Sequence, residues 1–163
     1  MADERQKKGR GRDNRRSGRQ KEPQEFEQRL VDLARVTRVT RGGKRLSFRA
    51  CIVLGDQKGR VGYGVAKGKD VTIAINKAVN QAKKRLITPK MVEGTITHEL
   101  KVKFKAAVVK MLPAKKGRGI IAGGAVRAVF ELAGYKDVVA KMIGSKNKIN
   151  NVKATYNALQ SLR

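Results

Sequence analysis

Leu46-Ser47-Phe48-Arg49-Ala50-Cys51-Ile52-Val53-Leu54 decides the fold class: Leu46, Phe48, Ala50, Ile52 and Leu54 alternate with Arg45, Ser47, Arg49, Cys51 and Val53. A period of two predicts a β-strand with one apolar and one mixed face. Gly42-Gly43 ahead of it predicts a hairpin turn, and Gly55-Asp56-Gln57-Lys58-Gly59 behind it predicts a second. After that turn Val61, Tyr63 and Val65 alternate with Gly62 and Gly64, so a third strand is expected whose glycines admit a close backbone neighbour. Upstream, the local signals of Glu25 to Arg41 conflict. Phe26, Leu30, Leu33, Ala34 and Thr37 share a helical face behind Pro23, whereas Val31, Leu33, Thr37 and Val39 suit a strand, so the pattern favours a helix early and a strand late.

Further along, Asp70 is placed to cap a helix running to about Ile87, with Val71, Ala74, Ile75, Ala78, Ala82 and Leu86 as its buried stripe. Lys77, Lys83, Lys84 and Arg85 lie off that stripe, and Pro89 to Gly94 forms a linker. A second unit opens with a strand in which Ile96, His98, Leu100, Val102 and Phe104 share the apolar face, making His98 a core imidazole. Another strand, Val108 to Leu112, leads to the basic loop Pro113 to Gly119. A helix from about Ala122 to Gly134 packs Val126, Val129 and Ala133. Val138 to Met142 is a short strand, and Asn147 caps a last helix with Ile149, Val152, Tyr156, Leu159 and Leu162 at helical spacing.

Charge limits the function. Lys and Arg number 39 against 13 Asp and Glu in 163 residues, a formal charge of +26, so a polyanion is the expected partner. No run approaches the ~18 apolar residues of a membrane span, and charged residues from Met1 to Lys21 leave no apolar signal segment. A single cysteine, Cys51, and a single histidine, His98, leave no disulfide, no thiolate zinc cluster and no ordinary hydrolase pair. Aromatics are 4% with no Trp, which favours folded, phosphate-dense RNA over stacking on unpaired bases. Residues 1–24 are expected to be a disordered basic arm, 25–90 an N-terminal domain and 91–163 a C-terminal domain.

Two basic constellations stand out. Arg35, Arg38, Arg41, Gly42, Gly43, Lys44 and Arg45 surround the first hairpin tip, a thin finger suited to a groove or a junction between RNA helices. In Lys115-Lys116-Gly117-Arg118-Gly119-Ile120-Ile121-Ala122-Gly123-Gly124, cations, permissive backbone and a helix start combine into an anion site. Its spacing fits neither the phosphate-loop nor the dinucleotide fingerprint, which speaks against a nucleotide enzyme. A free RNA chaperone is the alternative within the binding class.

The runs Val39 to Phe48, Val53 to Asp56 with Gly59 to Gly64, Gly117 to Ala128 and Gly144 to Asn150 resemble, in that order, the small-subunit ribosomal protein five family of bacterial type. The resemblance covers about Phe26 to the C-terminus. It implies an α+β chain: a double-stranded-RNA-binding-like sheet of three antiparallel strands on one helix, which makes Arg29 to Arg41 mainly a strand, then a left-handed βαβ-type domain. It implies a cytoplasmic, structural role in the small ribosomal subunit with no catalysis, no cofactor and no membrane. The residues expected to bind small-subunit rRNA are Arg35, Arg38, Arg41, Gly42, Gly43, Lys44, Arg45, Lys58, Arg60, Lys67, Lys69, Lys115, Lys116, Arg118, Gly119, Gly123, Gly124, Lys146, Asn147 and Lys148. Gly117, Arg118 and Arg127 fall where the family meets ribosomal proteins four and eight. The resemblance further implies support of translational accuracy and a position along the path by which mRNA enters. Two departures from the family are the end at Arg163, before the further tail common in bacterial members, and Lys146-Asn147-Lys148 in place of the more usual Asn-Pro.

Overall fold

The alternating segment forms the middle of a three-stranded antiparallel sheet. The computed structural model describes residues 25–162 and orders β1 (Glu27–Thr40), β2 (Gly43–Gly55) and β3 (Val61–Gly68) as β1-β2-β3. The arm expected at residues 1–24 lies outside the described residues. β1 is a strand throughout, from Glu27 paired with Gly55 to Thr40 paired with Gly43. The helical reading of its first half therefore fails: Val31, Val36, Thr37, Val39 and Thr40 are stiff, strand-favouring side chains, and cross-strand pairing with β2 outweighs a coincidental helical spacing. The hairpin turns on Arg41-Gly42, one residue earlier than the two glycines suggested.

Helix α1 (Val71–Lys83) lies on one face of β2 and β3 with Ala74, Ala78 and Ala82 buried against them. Glycine permits this approach: a Cβ on Gly64 would sit 1.9 Å from the Ala78 carbonyl oxygen, and one on Gly62 2.6 Å from that of Ala82. The helix ends at Lys83 rather than Ile87, because Ile87 turns back to pair with Val61, their amides and carbonyls bonding reciprocally at 2.9 and 3.0 Å. Asp70 stands at the N-cap position, but its carboxylate accepts from the Thr72 hydroxyl, not from a helix amide.

The second sheet runs β4 (Leu100–Phe104), β5 (Ala107–Pro113), β7 (Val138–Gly144), β6 (Ile120–Ile121). β6 is parallel to β7 and joined to it through α2 (Gly124–Ala133), a βαβ crossover; the other pairs are antiparallel. α2 stops at Gly134, whose φ of +89° suits glycine. α3 (Lys148–Ser161) is capped by Asn147, whose side-chain oxygen accepts from the amides of Ile149 and Asn150 at 3.0 and 3.4 Å. The expected strand from Ile96 begins only at Leu100, and His98 is exposed, its ring nitrogen 2.9 Å from the Thr97 hydroxyl. Alternation there overstated the strand, since the chain leaves the type I′-like turn at Glu93-Gly94 (φ +49° and +82°) before it reaches β5. The α+β architecture is as expected.

The mixed face of β2 is the larger surprise. Cys51 and Val53 are fully buried, as are Ala50 and Ile52 on the α1 side. Both faces are covered because Val53, Val61 and Tyr63 belong to one core with Val126, Val129, Phe130, Val152 and Leu159 of the second unit. Only a small cluster of Ala50, Ile52, Ala74 and Ala78 is private to the first. Each fully buried aliphatic side chain contributes about 1.5–3 kcal/mol, so the shared core is the dominant stabiliser of the first sheet. Main-chain bonds close the seam: Gln57 N–H donates to the Leu132 carbonyl and Gly59 N–H to that of Ala133, both at 3.0 Å. At the other end the rings of Tyr63 and Tyr156 meet edge-on at 4.7 Å, and the Tyr156 hydroxyl donates to the Arg85 carbonyl at 3.0 Å.

Candidate nucleic-acid interface

The last β2–β3 pair is Phe48 with Gly68, so β1 and β2 continue past it as a free two-stranded ribbon ending at Arg41-Gly42. Five further residue pairs at ~3.4 Å each make it roughly 17 Å long. Paired residues share a face. Arg38 and Arg45 stand directly opposite each other, as do Val39 and Lys44, and Arg35 and Phe48. Like charges in direct opposition are destabilising by some tenths of a kcal/mol, and among the described residues no acid lies within 4.0 Å of Arg35, Arg38, Arg41, Lys44 or Arg45. These cations are arranged for an external counter-charge.

Below the ribbon the Arg38/Arg45 face continues through Arg49, paired across to Lys67, and then to Asp32. The Asp32 carboxylate receives the Arg49 guanidinium at 3.3 Å and lies 3.8 Å from the Lys148 ammonium at the start of α3. The fold thus joins two expected groups, the hairpin and residues 146–148, into one strip. Lys146 and Lys148 also line a cavity of about 320 Å³ with Val31, Met142, Asn151 and Gly124, the first residue of α2. The start of α2 carries no side-chain cap and no acid in its first turn, so its free N–H groups and partial positive charge face this cationic corner.

The glycine-rich constellation is divided. Lys115 to Gly119 lies at the end of the sheet where β7 begins, held by the Gly119 amide donating to the Asp137 carboxylate at 2.7 Å and by Val138 N–H donating to the Gly119 carbonyl at 3.3 Å. Gly123 and Gly124 lie at the other end of β6, where a Cβ on Gly123 would strike the Met142 methyl at 2.2 Å. Extended backbone between the two keeps Lys115, Lys116 and Arg118 away from the α2 N-terminus, and Lys146 and Lys148 take their place there. Lys115, Lys116, Gly117 and Arg118 are exposed, with Lys116 4.0 Å from Glu93.

Other expected residues serve the fold first. Arg60 binds Asp56 at 2.6 Å and lies over the Phe26 ring at 4.9 Å. Asp56 is held below the usual carboxylate range: burial pushes it up, but the Arg60 side chain and the amides of Arg60 and Lys58 donate to it and prevail. Arg127 donates to the Ile120 carbonyl at 2.7 Å and neighbours Glu131, which also pairs with Arg29 of β1. Asn147 spends its side-chain oxygen on the cap. Lys58 and Lys69 are exposed. Two features escaped the sequence. Arg49, half-buried in the strip, looked like mere alternation, and Lys101, Lys110 and Lys141 lie side by side across β4, β5 and β7, with Lys110 paired to Glu99 at 2.7 Å. The Lys-Val-Lys pattern of β4 signalled a basic face, but only strand register reveals the row.

Among the described residues no group of three or more His, Cys, Asp or Glu side chains could hold a metal, and no helix is long and apolar enough to cross a membrane. Residues 26–88 match the family described as "Ribosomal protein S5, N-terminal domain" and residues 102–163 that described as "Ribosomal protein S5, C-terminal domain". Similar curated proteins are the small ribosomal subunit proteins uS5 of Hydrogenobaculum sp. (48% identical over 139 residues, 85% of this chain and 74% of that protein) and of Treponema pallidum (49% over 138 residues, 85% and 80%). The uS5 of Mycoplasma mobile is 50% identical over 149 residues, 91% of this chain but 61% of that longer protein. With the whole first sheet and all of the second but Leu100 and Lys101 falling within matched segments, the chain belongs to the ribosomal protein S5 family.

Proposed function

We propose that the chain docks on small-subunit rRNA through the strip running from Arg41 by Arg38 and Arg45 to Arg49, Lys67, Lys146 and Lys148. Family membership makes it a structural, non-enzymatic constituent of the small ribosomal subunit, acting in the cytoplasm. The observation that carries the docking reading is the set of opposed, acid-free cations on the ribbon. The acids elsewhere are largely engaged: Asp32, Asp56, Glu93, Glu99 and Glu131 each have a basic partner within 4.0 Å. The units 25–90 and 91–163 act as one block, so phosphate contacts on the first orient the second. The pinned loop Lys115 to Gly119, with Gly117, Arg118 and Arg127, presents a surface to ribosomal proteins four and eight. Placement beside them and along the path by which mRNA enters is how the chain supports accuracy. Binding of the full chain to small-subunit rRNA, measured against salt, tests the docking. Six phosphate contacts by Arg38, Arg41, Arg45, Lys67, Lys146 and Lys148 give a slope of about −5 in log affinity against log salt, and a nearly flat response refutes it.

A further inference from the structure

The cavity of about 320 Å³ at the start of α2 holds groups that phosphate docking along the strip does not use. One of its lining residues, Asn151, is fully buried. Its Nδ2 donates to the Ser145 and Asn147 carbonyls at 2.9 and 3.1 Å, but its Oδ1 accepts from no group among the described residues. A buried carbonyl oxygen left without a donor is costly, so this position calls for an O–H or N–H from outside the chain. Across the cavity the demand is reversed. Val126 and Arg127 N–H donate to the Gly123 carbonyl, whereas the Gly124 and Ala125 amides, which open α2 in the cavity wall, have no partner within the helix and no side-chain cap. Lys146 and Lys148, both exposed, add two ammonium groups. Asp32 lies 3.8 Å from Lys148, but it also holds the Arg49 guanidinium, so the corner keeps its positive charge.

We infer that this cavity is a binding site for a small phosphorylated ligand, a phosphoryl group with an O–H donor on the same molecule, as in hydrogen phosphate or a sugar phosphate. The phosphoryl oxygens accept from the Gly124 and Ala125 amides and from the two lysines, and the O–H donates to Asn151 Oδ1. A ligand with only one of these features leaves half of the site unanswered. Sulfate at neutral pH has no proton to offer the Asn151 oxygen, and a sugar without phosphate offers the amides and ammonium groups no anion. The volume lies at the lower end of the ~300–1,000 Å³ of small-molecule sites, and Val31, Ala128 and Met142 supply the apolar walls usual in them. The site requires both units, since Val31 comes from β1 and the other lining residues from the second sheet and its helices. It stands independently of the rRNA-docking reading, with which it shares only Lys146 and Lys148.

The test titrates the full chain calorimetrically at pH 7.5 and fixed ionic strength with inorganic phosphate, ribose 5-phosphate and sulfate. At least one phosphoryl probe should bind about tenfold tighter than sulfate, and the tighter of the two identifies the source of the phosphoryl group. Gly124→Pro deletes one donor amide at a helix position that favours proline, and Gly123, at φ −67° and ψ 150°, already has the backbone that suits a residue before proline. Its thermal unfolding should stay at or above that of the parent while affinity for the phosphoryl probe falls about tenfold. Ala128→Leu fills the cavity without touching a polar group and should abolish the preference over sulfate. Lys77→Gln, which removes a charge from α1 outside the cavity, should keep it. Sulfate bound as tightly as both phosphoryl probes, no binding of either, loss of the preference in Lys77→Gln, or an undiminished preference in a stably folded Gly124→Pro or Ala128→Leu variant overturns the site. None of these results alters the salt dependence by which rRNA docking is judged.

Discussion

Gly55→Ala strikes the seam between the two sheets. A Cβ there would lie 2.1 Å from the Leu132 carbonyl oxygen, 2.6 Å from its carbon and 2.9 Å from the Leu132 Cβ. Reaching van der Waals range means opening the seam by more than about 1 Å, and the obstacle is the main chain at the end of α2, not a flexible side chain. That opening stretches Gln57 N–H to Leu132 and Gly59 N–H to Ala133, now 3.0 Å each, out of hydrogen-bonding range, at about 1 kcal/mol apiece. Overpacking and loosening around Val53 and Val61 add about 1–3 kcal/mol. The sum, about 3–5 kcal/mol, is a large share of the ~5–15 kcal/mol of a typical domain and corresponds to a fall of roughly 10 °C or more in Tm. Urea unfolding followed by far-ultraviolet circular dichroism measures it, with Gly42→Ala as the control, since nothing lies within 4 Å of a Cβ at that position. A Gly55→Ala variant within 1 kcal/mol of the parent refutes the claim that the seam is tightly packed and that the two units act as one block.

Replacing Arg38 and Arg45 together by Gln should lower the salt slope of rRNA binding by about 1.8. Relief of the like-charge pair should leave stability unchanged or raise it by some tenths of a kcal/mol, so an unaltered slope would remove these residues from the interface. Burial first, and then the Asp32 charge, pushes the Cys51 thiol up from 9.0 to about 11. The folded state therefore favours the neutral thiol, and its contribution to stability is complete below pH ~9 and is lost as pH rises through about 11. At pH 8 a thiol reagent should modify Cys51 only after urea unfolding; rapid labelling of the native chain would contradict its burial. Asn147→Ala should cost about 1 kcal/mol in urea unfolding by freeing the Ile149 and Asn150 amides, whereas Asn147→Asp should retain most of that stability.

Local chemistry was legible in advance wherever a residue acts on its own neighbourhood. The alternation of Leu46 to Leu54, the glycines of β3 that admit α1, the stop at Gly134 and the cap at Asn147 are all short-range steric or hydrogen-bonding facts. For β1 the opposite holds. Its residues satisfied both a helical and an extended spacing, and only pairing with β2 decided between them. His98 matched an apolar face that the chain leaves before a sheet forms there.

From sequence alone come the strand and helix inventory apart from β1 and the two-residue β6, the surplus of cations and hence the polyanionic partner, because propensity, capping and net charge depend on residue type and short spacing. Tertiary structure alone decided that the mixed face of β2 is buried, that Lys148 reaches Asp32, and that Lys115 and Lys116 stand apart from the α2 N-terminus. Those facts depend on strand register and on how two sheets meet, and contacts between residues a hundred positions apart leave no periodicity in the chain.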